Sequence, residues 1–228
     1  MSRAISPLFP LGSVLFPGLA LPLHIFEERY RQLVARLSEG EDDVERSFGV
    51  VAIRAGHEVG ASSVAALHEV GTTALLRRVT PYPDGRSDIL TVGARRFRLH
   101  AVDDSLPYLQ AEVEWIPEAN GASDSLAELS ASVAARFADY QTLLAGGPDG
   151  DGDPDETGQL PDDPTVLSYL VSAAMLLDVS DRQRLLAAPT TTDRLARLTT
   201  LLAREQTVIG LLGAVPATDL LRTGMTLN

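Results

Sequence analysis

An apolar stretch that is interrupted by prolines and runs directly into charge is the feature that most constrains this chain. Residues 15–30, LFPGLALPLHIFEERY, contain Pro17 and Pro22 within a run that is otherwise apolar enough for a buried strand. Proline fixes φ and has no backbone N–H, so such a segment is disfavoured inside a helix and in the centre of a sheet. We therefore predict that residues 15–23, here called the ribbon, are extended and lie at a sheet edge.

A helix is predicted to begin directly after the ribbon. Arginines alternate with apolar residues at helical spacing, and the apolar positions are Phe26, Tyr30, Leu33, Val34 and Leu37. Glu27 and Glu28 fall in the first turn, where negative charge complements the helix dipole. We expect Phe26 and Tyr30 to anchor this helix on the β-rich part of the chain.

The sequence leaves two interpretations of the ribbon open. Apolar side chains usually become buried, which favours a place in the core. The alternative is an exposed apolar patch formed by Phe16, Leu19 and Leu21, of the kind that binds another polypeptide. These three residues are therefore the candidate polypeptide-binding residues.

Strand patterns continue as far as residue 118, and helical patterns follow. Asp84-Gly85 is a hairpin signal, Gly93 is predicted to separate two strands, and residues 108–118 alternate apolar with polar side chains. After Pro117, apolar residues recur at helical spacing. We predict an α+β protein with a β-rich subdomain at residues 1–118 and a helical subdomain at 119–228, which contains a flexible acidic insert at 146–163.

Composition removes several classes of enzyme. The chain has no cysteine, and all 19 of its basic residues are arginine. Cysteine nucleophiles, Walker A lysines, Schiff-base lysines and Ser–Lys dyads are therefore absent from these 228 residues. No G-x-S-x-G motif and no glycine-rich phosphate loop before a helix is found either. We predict no catalytic residues, no cofactor and no enzymatic activity.

Two acidic or histidine-containing patterns resemble metal sites but lack essential ligands. His57-Glu58 and His68-Glu69 each lie in an HEVG sequence, but a metal needs at least three converging ligands. The alternating aspartates from Asp149 onward do not make an EF-hand, because Pro154 and Leu160 stand where the loop needs glycine and glutamate. No metal is predicted.

The arginines at positions 95, 96 and 98 are the candidate anion-binding residues. On paired strands Arg95, Arg96 and Arg98 could form a stripe facing phosphate. The alternative is that they alternate across a strand and pair with surface carboxylates. A formal net charge of -12 and an aromatic content of 5% favour that alternative, so nucleic acid is a disfavoured partner.

The order of motifs resembles the amino-terminal, substrate-binding domain family of Lon proteases. The opening FPLGSVLFPGLALPLHIFEERYRQLV carries the resemblance, followed in order by EVGTTALL, DGRSDILTVGARRFRL, YLQAEVE and DRQRLLAAPTTTDRLARLTTLLARE. The resemblance implies a PUA-like β-rich unit followed by a helical bundle, and a non-catalytic role in binding other polypeptides. PUA-like folds in other families bind RNA, which supplies the alternative function.

The resemblance leads to an expectation about the whole protein. We expect a stand-alone member without ATPase or peptidase domains, which binds apolar segments of client or partner polypeptides in proteolysis or quality control. The longest apolar run, Val166–Val179, is shorter than the roughly 20 residues that a membrane-spanning helix needs. We therefore expect a cytoplasmic protein that does not cross a membrane, and we leave its oligomeric state open.

Overall fold

The computed structural model describes residues 3–54, 66–145 and 160–212. The first part contains β1 (Arg3–Leu11), β2 (Ala20–Ile25), α1 (Glu28–Ser38), β3 (Ser47–Ala52), β4 (Val70–Pro81), β5 (Ser87–Asp103) and β6 (Gln110–Trp115). The second part contains α2 (Ser123–Leu144), α3 (Pro164–Ala174), α4 (Val179–Leu186) and α5 (Thr191–Leu212). The predicted α+β class, with a β-rich part before a helical part, is confirmed.

The strands form a closed barrel with one strand outside it. They pair in the order β2-β5-β4-β3-β1-β6, and β6 also pairs with β5. The pairing therefore closes through β5, β4, β3, β1 and β6, which leaves these strands without a long free edge. β2 pairs antiparallel with the first part of β5, from Ser87 to Val92. We call the three strands β4, β5 and β2 the extension sheet.

Gly93 lies within one continuous strand, so the predicted break at this position is wrong. β5 runs through it for 17 residues. A Cβ at Gly93 would lie 2.3 Å from the carbonyl oxygen of Phe16. The N–H of Gly93 donates to the oxygen of Leu19 at 2.9 Å, and the N–H of Gly18 donates to the oxygen of Gly93 at 2.8 Å. The glycine is needed because the ribbon docks there, and it does not end the strand.

The hairpin predicted at Asp84-Gly85 joins β4 to β5. Gly85 has a φ of 85°, a left-handed conformation that glycine adopts without steric cost. The carboxylate of Asp84 accepts a hydrogen bond from the backbone N–H of Arg86 at 3.1 Å. The guanidinium of Arg31 lies so close to Gly85 that a Cβ there would meet it at 2.0 Å. The start of α1 therefore lies beside the tip of this hairpin.

Tyr30 anchors α1 as predicted, but Phe26 does not. The ring of Tyr30 is 5% exposed and stacks on Phe9 with the ring centroids 3.8 Å apart. Leu33 and Leu37 of α1 belong to the same buried cluster. Phe26 precedes the helix and is 52% exposed, so the expectation for this residue is wrong. Its side chain falls outside the apolar stripe because helical geometry starts only at Glu28.

Contacts between residues divide the chain into two units. Residues up to Glu118 group with Ser172–Ala188, and Ala119–Val171 groups with the residues from Pro189 onward. In the first unit the side-chain amide of Gln183 on α4 donates to the oxygen of Val70 at 2.7 Å. The domain boundary placed after residue 118 by sequence stays a prediction.

The second unit has its own buried residues. α2 packs against α5, and the buried apolar side chains of these helices are Val133, Phe137, Tyr140, Leu195, Leu198 and Leu202. Arg194 is fully buried, with its guanidinium 3.9 Å from the ring centroid of Tyr169. The predicted acidic insert lies mainly outside the described residues, as do the chain positions after Leu212.

Candidate functional site

Burial of the ribbon favours the core interpretation. Phe16 is 1% exposed, and Leu19 and Leu21 are half-buried against the cluster that also contains Leu33 of α1. The backbone of the ribbon docks on Gly93 through the carbonyl groups of Phe16 and Leu19, and the side chain of Leu19 packs against that cluster. Phe16 therefore has no surface to offer another polypeptide, and Leu19 and Leu21 offer only part of theirs.

The outer edge of β2 points away from the rest of the sheet. The N–H of Gly93 donates to Leu19, and hydrogen-bonded positions in an antiparallel pair recur at every second residue. Leu21 therefore directs its backbone groups toward β5, while Pro22 and His24 direct theirs outward. Pro22 has no N–H, so the middle of this edge lacks a donor for an added strand. In the described ranges β5 is the only strand that pairs with β2.

The extension sheet has one face in the core and one face toward solvent. Successive side chains along a strand point to opposite faces, and Ile89 of β5 lies in the core cluster with Ile25 of β2. The residues of opposite parity form what we call the outer face: Pro22 and His24 of β2, Asp88, Leu90 and Val92 of β5, Arg78 and Thr80 of β4, Tyr82, which follows β4, and Phe26, which follows β2.

The outer face is apolar in one part and aromatic in another. Pro22 pairs with Leu90 across the two strands, and His24 pairs with Asp88 two residues further along. Pro22 is exposed and Leu90 is half-buried. Phe26 is 52% exposed. Large apolar side chains thus remain in contact with solvent on a sheet whose other face is fixed by the core.

A carboxylate lies at the centre of the aromatic part. Nδ1 of His24 lies 2.6 Å from Oδ1 of Asp88, and the hydroxyl of Tyr82 donates to Oδ2 at 2.5 Å. The His24 ring lies 6.2 Å from the Phe26 ring and 6.0 Å from the Tyr82 ring, measured between centroids. The hydrogen bonds from Tyr82 and His24 hold the pKa of Asp88 below its ordinary value, so this carboxylate is ionised at neutral pH.

Arg96, one of the three candidate anion-binding residues, is a buried structural residue. Its side chain is 1% exposed, and its Nε donates to a carboxylate oxygen of Glu118 at 2.7 Å. Its Nη1 donates to the backbone oxygens of Leu186 and Ala188 at 2.8 and 2.6 Å. These oxygens lie at the carboxyl end of α4, where the helix dipole favours a cation. Arg96 therefore cannot meet a phosphate group.

The other two arginines do not complete a stripe. The guanidinium of Arg95 lies 4.3 Å from the centroid of the Trp115 ring. Arg98 is exposed and stands opposite Glu114 of β6. The three arginines thus lie in three different environments: Arg95 on an aromatic ring, Arg96 buried against the end of α4, and Arg98 exposed. Strand alternation and the position of α4 separate them.

The described residues contain no group of three or more His, Cys, Asp or Glu side chains that could hold a metal ion. His57 and the aspartates from Asp149 to Asp155 lie outside the described ranges. Burial and the charge of Arg54 lower the pKa of His68. His100 bonds to Glu114 at 2.9 Å.

In the same described ranges, no helix combines the length and the hydropathy required of a membrane span.

The sequence contains signals for the outer face that hydrophobicity alone does not reveal. Thr80 pairs with Asp88 across the hairpin, and Tyr82, two residues after Thr80, is therefore the diagonal neighbour of Asp88 on the same face. His24 and Pro22 share the parity opposite to the core-facing leucines of β2. An apolar side chain at Phe26, one position before the acidic first turn, is the remaining signal. None of these residues was a predicted site residue.

A family model matches most of the chain. The model describes the ATP-dependent protease La (LON) substrate-binding domain, and it matches residues 5–204.

Curated relatives and solved structures agree with this match. Lon protease 2 of Syntrophobacter fumaroxidans is 29% identical over 204 residues, which covers 84% of this chain and 23% of the relative. The Lon protease of Desulfovibrio desulfuricans is 32% identical over 206 residues, which covers 87% of this chain and 22% of the relative. The chain thus spans less than a quarter of the length of either relative.

Two solved structures have a similar fold. A Lon N-terminal domain protein from Xanthomonas campestris superimposes with a TM-score of 0.60 at 23% identity, covering 86% of this chain and 98% of the other. The N-terminal domain of Lon protease from the Mycobacterium avium complex gives a TM-score of 0.63 at 19% identity, covering 88% and 98%.

Proposed function

The chain belongs to the LON substrate-binding domain family, and from that premise we propose that its outer face binds exposed apolar segments of other polypeptides. The binding is non-catalytic. The partner is an unfolded or partly unfolded client, and the setting is proteolysis or quality control, in keeping with the names of the curated relatives.

The observation that carries this proposal is the exposure of Phe26 and Tyr82 beside half-buried Leu90. Phe26 is 52% exposed and Tyr82 is 40% exposed. Aromatic side chains are enriched where proteins bind one another, because they bury a large area at a small cost in side-chain entropy. A fixed strand scaffold lowers that cost further, because little has to be ordered when the client arrives.

Binding on the outer face proceeds through side chains. Pro22 is the middle residue of β2 whose backbone faces away from β5. Because proline has no N–H, a strand added at this edge would lack one hydrogen-bond donor. A client segment that lies across the face meets the ring of Pro22 and the side chain of Leu90. Such contacts select for apolar character and tolerate many sequences, as a receptor for unfolded chains requires.

The expected affinity is modest. An unfolded segment loses conformational entropy when it binds, and this loss offsets part of the energy gained from apolar contact. A dissociation constant on the order of micromolar follows from these opposing contributions.

The test is a titration of the protein with a permanently unfolded model polypeptide, such as reduced and carboxymethylated α-lactalbumin. Wild type and Phe26→Ser are compared by fluorescence anisotropy. Removal of the ring is expected to weaken binding roughly fivefold to tenfold. The matched control is Ile5→Ser, because Ile5 is 67% exposed on β1, away from the outer face.

Wild-type binding with an unchanged Ile5→Ser variant and a weakened Phe26→Ser variant supports the proposal. Equal weakening by both substitutions would assign the binding to general surface hydrophobicity. No binding by correctly folded wild type would contradict the proposed function as a whole.

A further inference from the structure

Asp88 has acceptor capacity that the protein itself does not use. An ionised carboxylate offers about four lone-pair positions, and the structure assigns one bond to each oxygen, from His24 and from Tyr82. Because an ionised carboxylate can only accept, Nδ1 of His24 carries the shared hydrogen. The side chain of Asp88 is 49% exposed. The remaining positions are therefore open to a donor from outside.

Two arginines at the hairpin that carries Asp88 form ion pairs with carboxylates other than Asp88. Arg86 stands on the same hairpin, but its guanidinium binds Asp84 at 2.7 Å. Arg31, whose guanidinium lies at Gly85 of this hairpin, pairs with Glu28 at 3.3 Å. Local ion pairs thus occupy these two arginines, and Asp88 is held by a histidine and a hydroxyl.

Arg78 is the positive group that shares the outer face. It stands opposite Leu90, two cross-strand pairs beyond the pair of Thr80 with Asp88 and thus on the same face. A cation arriving on the face is consequently favoured at the Asp88 end and disfavoured at the Arg78 end. The outer face is therefore apolar and also electrostatically asymmetric, negative at Asp88 and positive at Arg78.

We propose that Asp88, with the rings of His24, Phe26 and Tyr82 around it, anchors an arginine or lysine side chain of the client. The proposal deepens the proposed function and rests on it. It assigns a substrate class: extended segments in which a basic residue stands close to an apolar residue.

The chemistry of a basic side chain fits this arrangement in two ways. Its charged end donates to the open positions of the carboxylate, and a guanidinium in particular can pair with both oxygens. Its alkyl chain, or the flat face of a guanidinium, packs against an aromatic ring. A phosphate or an acidic client lacks both interactions and is repelled by Asp88.

The spacing of the client follows from the spacing of the face. Leu90 and Asp88 are two residues apart on one strand, which is about 7 Å. A client in extended conformation has the same repeat. In a client with a basic residue two positions from an apolar residue, the basic side chain can therefore bind Asp88 while the apolar side chain contacts Leu90 and Pro22.

The test compares two labelled peptides that differ at one position. One has an arginine two residues from a leucine, and the other has citrulline there, which keeps the shape of arginine without its charge. At low salt, wild type is expected to bind the arginine peptide roughly threefold to tenfold more tightly, as an exposed ion pair with cation–π support would give. Asp88→Asn is expected to bind both peptides equally, with the affinity that wild type has for the citrulline peptide.

The control for net charge is Glu112→Gln. Glu112 lies on β6, pairs with Arg3 at 3.0 Å and is outside the extension sheet. This variant is expected to keep the preference for arginine, because it changes the charge of the protein by the same amount at a distant place.

The outcomes separate the two proposals. Equal binding of the two peptides by wild type overturns the Asp88 anchor and leaves apolar binding intact. A preference that survives in Asp88→Asn, or that disappears in Glu112→Gln, also overturns the anchor. Failure of wild type to bind either peptide overturns the proposed function, and the anchor with it.

Discussion

Ile89 and Leu90 are neighbours on β5, and they face opposite sides of the extension sheet. Ile89 is 3% exposed and belongs to the cluster that includes Ile25 and Leu33. Leu90 is half-buried and stands beside Pro22 on the outer face. The strands are held in place by the inner face, and the apolar groups of the outer face can therefore stay in contact with solvent without loss of the fold.

The largest expected effect is the destabilisation caused by a cavity on the inner face. Ile89→Ala should lower the free energy of unfolding by roughly 2–5 kcal/mol, because it removes buried methyl groups and leaves a void. Leu90→Ala should lower it by about 1 kcal/mol or less, because much of that side chain remains at the surface. Urea unfolding followed by the fluorescence of Trp115, the single tryptophan, measures both. Equal losses would contradict the contrast between the faces.

The second effect extends the contrast to neighbouring arginines further along β5. Arg96→Gln should lower the free energy of unfolding by roughly 2–4 kcal/mol, because buried oxygens at the end of α4 lose their donor. Arg95→Gln should cost about 1 kcal/mol or less, the usual value of an exposed cation–π contact. The same unfolding measurement compares them. A smaller loss for Arg96→Gln than for Arg95→Gln would show that the buried guanidinium is not structural.

Much of the fold could be predicted from sequence because its signals are local. The apolar spacing of α1 and the turn at Asp84-Gly85 correspond to elements that the structure contains. The break predicted at Gly93 is wrong because glycine in a strand pattern can mark either a break or the close approach of another backbone. Only the position of Phe16 against the strand distinguishes them, and that contact is distant in sequence.

The candidate site could be predicted less well, for a physical reason. Hydrophobicity alone pointed to Phe16, Leu19 and Leu21, but apolar side chains in an edge segment alternate between the two faces. Which parity faces the core depends on the register with β5, and a shift of one residue exchanges the faces. For Arg96 the deciding partners are on α4, far along the chain.

A third prediction concerns the aromatic part of the outer face and pH. The folded-state pKa of Asp88 lies below its ordinary value of 3.8 because Tyr82 and His24 donate to it. Such a group stabilises the folded state above the pKa of the unfolded chain and loses this contribution as pH falls through the folded pKa. The stability difference between wild type and Asp88→Asn should therefore be fully present at about pH 5 and shrink as the pH falls below about 4. Urea unfolding at several pH values between about 5 and 2 measures this, and a difference that grows over this range would contradict the prediction.

The smallest expected effect concerns the edge of β2. Pro22→Ala adds a backbone N–H at the outer edge of β2, so self-association through this edge should increase slightly. The free energy of unfolding should change by about 1 kcal/mol or less. Analytical ultracentrifugation across a concentration series detects the association. An unchanged monomer–dimer balance would show that Pro22 does not protect the edge.

The most direct test of the central claim is to locate a bound client on the protein. Backbone amide shifts of isotopically labelled protein are recorded by NMR during titration with an unfolded apolar peptide. The account predicts saturable shifts concentrated at His24, Phe26, Tyr82 and Leu90 of the outer face. Shifts confined to the β1–β6 wall around Glu112, with the outer face unchanged, would contradict it.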